Sequence, residues 1–219
     1  MKENSDQSIK EHSKTDVLYV KNKRLWLNNK FMFGIMLLSA GVCLLAAFVL
    51  SVDAVKLAED PYTALSCNIN STFNCANVAL SDQAQIFGFP NAFLGLICET
   101  VVITIAVAGL SGVSFPKWMM SVAQIIYLLG LIFAFWLFYQ SAYNIHSLCP
   151  WCLTITFGTI FTFFTLLRYN ILNDKLYFTK KVNNFSKNCV ENYIDILIVV
   201  ILLITVIGII IMQYGSSLI

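Results

Sequence analysis

Five apolar stretches, each long enough to cross a lipid bilayer, decide what this chain can fold into. They are Phe31–Val52, Pro90–Leu110, Trp118–Gln140, Cys149–Tyr169 and Ile194–Tyr214. A spanning helix needs about 20 mostly apolar residues. The chain has 219 residues, of which 58% are hydrophobic and 12% charged. Soluble domains carry about 25% charged residues, so the polar surface here is too small to coat a globule. The expected fold is an all-α membrane protein with five transmembrane helices.

Lysines and arginines stay on the cytoplasmic side of a membrane, and they orient these spans. The segment before the first span holds Lys2, Lys10, Lys14, Lys21, Lys23, Arg24 and Lys30. Lys117 follows the second span, and Arg168, Lys175, Lys180, Lys181 and Lys187 surround the loop after the fourth. The loop between spans one and two has only Lys56 against Asp53, Glu59, Asp60 and Asp82, and the loop between spans three and four has no Lys or Arg. The expectation is a multi-pass protein of the cell membrane with a cytoplasmic N-terminus and an outward C-terminus. Residues 1–30 are expected as a cytoplasmic polar tail without a cleavable signal peptide. Residues 53–89 form an outer loop, 170–193 a cytoplasmic loop, and 194–219 the fifth span with a short outer end. No basic stripe, phosphate-binding loop or metal-spaced His/Cys cluster appears, which argues against nucleic acid and metal.

The seven cysteines sort by side. Cys67 and Cys75 lie in the long outer loop. Cys149-Pro150-Trp151-Cys152 opens the fourth span from outside, in a compartment that permits disulfides. Two cysteines three apart can close a small reducible ring. The first turn of a helix offers unpaired N–H groups and the positive end of its dipole, and such motifs lower a cysteine pKa to ~3.5–7.5. Pro150 suits that turn because its missing N–H costs nothing. Two alternatives stand beside this reading: a zinc site completed by Cys67 and Cys75, and purely structural disulfides. Cys43 and Cys98, inside spans, and Cys189, on the cytoplasmic side, read as unreactive.

The ordered set of motifs resembles the vitamin K epoxide reductase family in its bacterial branch, over roughly residues 31–169. Cys67 and Cys75 precede span two. Ser81 follows Cys75 by six positions. Ile86-Phe87-Gly88-Phe89-Pro90 resembles the Phe-Gly-Ile-Pro run of the family, and the C-x-x-C opens span four. The C-x-x-C comes last, unlike the order in DsbB-type quinone reductases. Thr156 stands where the animal enzymes carry a tyrosine. The resemblance implies a four-helix transmembrane bundle around a quinone (menaquinone or ubiquinone), with the fifth helix on its side. It implies a capping helix at about Ala76–Ile86, and quinone contacts from Ser81 and Phe87.

The activity it implies is disulfide formation outside the cytoplasm. A separate secreted thioredoxin-fold (DsbA-like) protein gives electrons to the pair Cys67/Cys75. These pass to Cys149/Cys152 and on to the quinone. Cys67 meets the partner, Cys75 meets Cys149, and Cys152 faces the quinone. Glu99, a carboxyl within a span, is a functional candidate by position, for proton relay or quinone contact. His146, three residues before Cys149, is a candidate for stabilising a thiolate. Phe133, Phe135 and Trp136 are candidates for lining a ring pocket. A non-enzymatic membrane scaffold with structural outer disulfides is the alternative from another class.

Overall fold

The computed structural model describes residues 28–218 apart from 66, 69 and 71, so the tail expected at the start of the chain lies outside the described residues as far as residue 27. All five expected spans are helices, and their lengths and hydropathies suit membrane crossing.

Helix α1 runs Asn29–Glu59, starting where Asn28 Oδ1 accepts the Lys30 N–H at 3.0 Å. It continues about two turns past its apolar run, because Leu57 still has a buried surface to cover, beside Leu65 and the cysteines. A short helix α2, Cys75–Ala79, is started by Asn74, whose side chain accepts the Asn77 N–H. Helix α3 is Ala92–Leu110 and α4 is Lys117–Gln140. A π-helical turn, Ser141–Ile145, extends α4 and stops at His146, which takes a left-handed conformation with φ 54°. Helix α5 is Pro150–Leu172, α6 is Lys180–Glu191 and α7 is Ile194–Leu218.

Two details differ from the sequence reading. The capping segment is not one helix over Ala76–Ile86: α2 ends at Leu80, Ser81 is extended, and a separate 3-10 turn covers Asp82–Gln85. Ser81 ends the helix by donating its hydroxyl back to Val78 O at 2.6 Å, the local competition with helix that serine offers. The loop expected over 170–193 contains α6, whose apolar residues fall on one face of a polar helix.

In lipid, helices associate through close packing and polar contacts rather than hydrophobic drive. Helix α1 is the central strut, with α3 and α5 against it, and Met32, Met36 and Ala40 are fully buried there. Small residues allow the approach. A Cβ at Gly95 would meet the Ala47 Cβ at 3.0 Å, and one at Gly158 would overlap the Cys43 sulfur. Ser39 and Thr162 add a 2.7 Å hydroxyl contact between α1 and α5. Helix α7 is fastened to the bundle at both ends. Arg168 Nη1 donates to both Asp195 oxygens at 2.8 and 2.7 Å, and Tyr214 Oη donates to Ala142 O at 3.0 Å.

The helix order gives the bundle two different ends. At one, Asn29 and Asn173 exchange side-chain hydrogen bonds and Lys175 reaches Phe115 O. At the other, the cysteine loop meets the start of α5.

Candidate active site

Backbone hydrogen bonds, rather than chance proximity, bring the cysteine segments together. Leu148 N–H donates to Thr72 O at 2.7 Å, and Asn74 N–H donates to Leu148 O at 3.0 Å. Together they form a parallel bridge between Phe73 and Leu148. The next residues in each segment are Cys75, directly after Asn74, and Cys149, directly after Leu148. Both are 1% exposed. They pack in one cluster with Leu57, Leu65 and Cys67, and Trp151 and Cys152 lie against it. Cys67 and Cys75 are joined by a disulfide, while Cys149 and Cys152 are free thiols. Cys67 is also covered, at 5% exposure.

Cys149 occupies the N-cap of α5. Its backbone is extended, Pro150 takes the first helical position, and its sulfur accepts the Cys152 N–H at 3.3 Å. The Cys149 thiol is held below its ordinary value, first by the hydrogen bond from the Cys152 side chain. The backbone N–H groups of Cys152 and Trp151 act in the same direction; burial and the Asp53 charge oppose it. The Cys152 side chain and the helix start together therefore favour thiolate at the first cysteine of the motif.

Below the cluster is a cavity of about 520 Å³ between α1, α3, α4 and α5, reached by Cys75, Cys149 and Cys152. Ligand pockets typically span about 300–1,000 Å³. Of the other expected residues, Ser81, Phe87, Glu99 and Phe133 line it, whereas Phe135 packs against the hydrophobic core and Trp136 is outside the lining. Ser81 is there, although its hydroxyl is committed to Val78 O. Phe87 and Phe133 border it with ring centroids 6.0 Å apart, and Trp136 stacks on Phe133 at 5.9 Å from outside the lining. Glu99, 5% exposed, accepts a 2.8 Å bond from Tyr127 Oη. His146 is exposed and makes no hydrogen bond to either cysteine among the described residues; it serves the left-handed turn that ends the π-helical stretch.

Three residues around the site escaped the sequence reading. Tyr127, an aromatic in an apolar helix, gave no signal. Asp53 gave a faint one, as an acid at the edge of an apolar run. Asn91, directly after Pro90, is a polar residue opening an apolar run. Its Nδ2 donates to Gln83 O at 2.7 Å, and its buried Oδ1 has no partner among the described residues.

The cavity's chemistry fits a quinone. Its walls are mostly apolar, aromatic rings border it, the two α5 thiols and Cys98 reach it, and the orphaned Asn91 Oδ1 offers an acceptor to a reduced ring's hydroxyl. A profile described as the vitamin K epoxide reductase family matches residues 34–167, more than half of the chain. The chain belongs to the vitamin K epoxide reductase family. The matched stretch starts in α1 and ends in α5, so it takes in the cysteine loop, the bridge and the cavity, while α6 and α7 lie beyond it. Among curated proteins, none matches the chain. Family membership makes this protein a membrane oxidoreductase of thiols and disulfides, in a family that is quinone-linked in general.

Proposed function

We propose that this family member oxidises a thioredoxin-fold thiol protein outside the cytoplasm and delivers the electrons to a membrane quinone. One observation carries the reading: the Phe73–Leu148 bridge, which sets the loop disulfide beside the Cys149–Cys152 pair at the roof of the cavity. The outward placement of the cysteines is supported by the charges, since Lys30, Lys117 and Lys175 all belong to the opposite end of the bundle.

The steps are thiol–disulfide exchanges. A partner thiolate attacks Cys67, the Cys67–Cys75 bond breaks, and Cys75 leaves as a thiolate. Cys75 then attacks Cys149 of an oxidised Cys149–Cys152 pair, and Cys152 is released. Cys67, once freed by the second partner thiol, attacks Cys75. This remakes the loop disulfide and leaves both α5 cysteines reduced, the arrangement of thiols and disulfide seen here. A quinone bound in the cavity supplies a two-electron, two-proton acceptor. Ser81, Phe87 and Asn91 would hold it near the cysteines, and Glu99 with Tyr127 would hold a proton at its deeper end.

The test is menadione reduction by the purified protein, driven either by reduced thioredoxin or by a small dithiol. The reading expects Cys67→Ser to lose thioredoxin-driven turnover and keep dithiol-driven turnover. It also expects Cys152→Ser to lose both. A wild-type protein whose loop disulfide resists dithiol and which reduces no menadione would favour the scaffold reading, for which the burial of Cys67 and Cys75 is the supporting observation.

A further inference from the structure

Asp53 sits near the outer end of α1 with its carboxylate turned inward. It is 5% exposed, and its Oδ2 stands 3.9 Å from Cys67 Sγ. Burying a carboxylate is costly unless a partner compensates. Among the described residues, Cys67 is its only hydrogen-bonding neighbour. While Cys67 is in a disulfide, its sulfur has no proton to donate. The carboxylate gains a donor only when the disulfide opens.

We propose that Asp53 is the proton acceptor for Cys67 in the step that remakes the loop disulfide. The inference rests on the proposed relay and assigns a role within it. In that step the Cys67 thiol gives its proton to Asp53 Oδ2. Its sulfur forms a bond to Cys75 Sγ, the Cys75–Cys149 bond breaks, and Cys149 takes the electron pair and leaves as a thiolate. The leaving thiolate is the one that the α5 N-cap stabilises, so the step is helped at both ends. Among the described residues, the titratable groups near Asp53 are few. Cys67 comes from the loop and Cys75 from α2, and Cys149, with Cys152 behind it, comes from α5. On its own helix, Lys56 and Glu59 are exposed, as is Asp60 just beyond. Lys56 therefore acts only through a screened field, and its chain position gives the accepted proton a short way to solvent.

The role is tested without quinone. In the Cys75→Ser protein, Cys67 is a lone thiol, and its alkylation rate against pH gives its midpoint. A carboxylate 3.9 Å away opposes the thiolate, so Cys75→Ser/Asp53→Asn is expected to lower that midpoint by about one pH unit or more. Asp53→Glu should restore it. Equal midpoints with and without Asp53 overturn the proposal. In turnover, Asp53→Asn should reduce thioredoxin-driven menadione reduction at neutral pH by about 10²-fold. It should also accumulate the Cys75–Cys149 mixed disulfide and recover toward alkaline pH, as hydroxide replaces the missing base. A rate and pH profile matching wild type would overturn it as well. If wild-type protein reduces no menadione from thioredoxin, the relay itself fails, and the alkylation midpoints still decide whether Asp53 governs the Cys67 proton.

Discussion

At the scale of single residues, the site turns on which sulfur carries charge. The sequence indicated that a cysteine of the C-x-x-C is activated by the helix start, but left open which one. The structure answers at Cys149: the Cys152 side chain donates to its sulfur and, as N-cap, it also accepts the Cys152 N–H, so its thiol is pulled down. Because its pKa is depressed, the thiolate persists below the ordinary thiol range and is lost only as pH falls through the lowered midpoint. Alkylation of the reduced protein against pH should therefore show Cys149 with a midpoint below the unperturbed ~8.5. Cys152→Ala, which removes the leading hydrogen bond, should move the midpoint up. An unchanged midpoint in that variant would mean that the backbone alone sets the acidity. Glu99 was legible as an acid in a span, whereas its Tyr127 partner was not, because a tyrosine in an apolar helix looks like any other ring. Tyr127→Phe leaves the buried Glu99 oxygen without its 2.8 Å donor. The expected cost is about 1–3 kcal/mol, read as a lower unfolding temperature in detergent.

Among the helices, the apolar runs told where the spans lie, and turn chemistry decided what happens between them. Pro150 and the cysteines announced the start of α5. The capping segment was read too simply, because Ser81 can return its hydroxyl to Val78 O and end α2, a choice that apolar pattern does not register. The parallel bridge was invisible in sequence, since two backbone hydrogen bonds leave no mark on residue type. Packing between spans was equally hidden, although its signature is small residues. Gly158 faces the Cys43 sulfur across the α1–α5 contact. Gly158→Ala should cost about 1–3 kcal/mol by overpacking, and Cys43→Ala in the same chain should recover much of it. Unfolding temperatures of the two variants check this, and no recovery in the pair would place the strain elsewhere. Arg168 was counted as a charge near a cytoplasmic loop. It is in fact buried within α5 and clamps α7 through Asp195. Removing one partner of a buried pair typically costs about 3–5 kcal/mol. Arg168→Ala should thus release α7, seen as protease cleavage near residue 193, whereas Arg168→Met with Asp195→Leu should largely restore protection.

For the whole molecule, one bundle joins a disulfide in the loop at one end to a cavity among the helices under the α5 cysteines. Its orientation predicts that a membrane-impermeant thiol reagent labels Tyr62→Cys, at an exposed position of the loop, in intact cells and leaves Cys189 unlabelled. The reverse pattern would place the cysteines in the cytoplasm and remove the disulfide-forming role. In the proposed relay, electrons pass from the loop pair to the α5 pair through a bond between Cys75 and Cys149. Cys67→Ser/Cys152→Ser isolates that bond, because the intermediate then lacks both thiols that would resolve it. Peptide mass spectrometry without reduction, on that double variant after oxidation, should find Cys75 bonded to Cys149. Two free thiols at Cys75 and Cys149, with no bond between loop and helix, would contradict the relay.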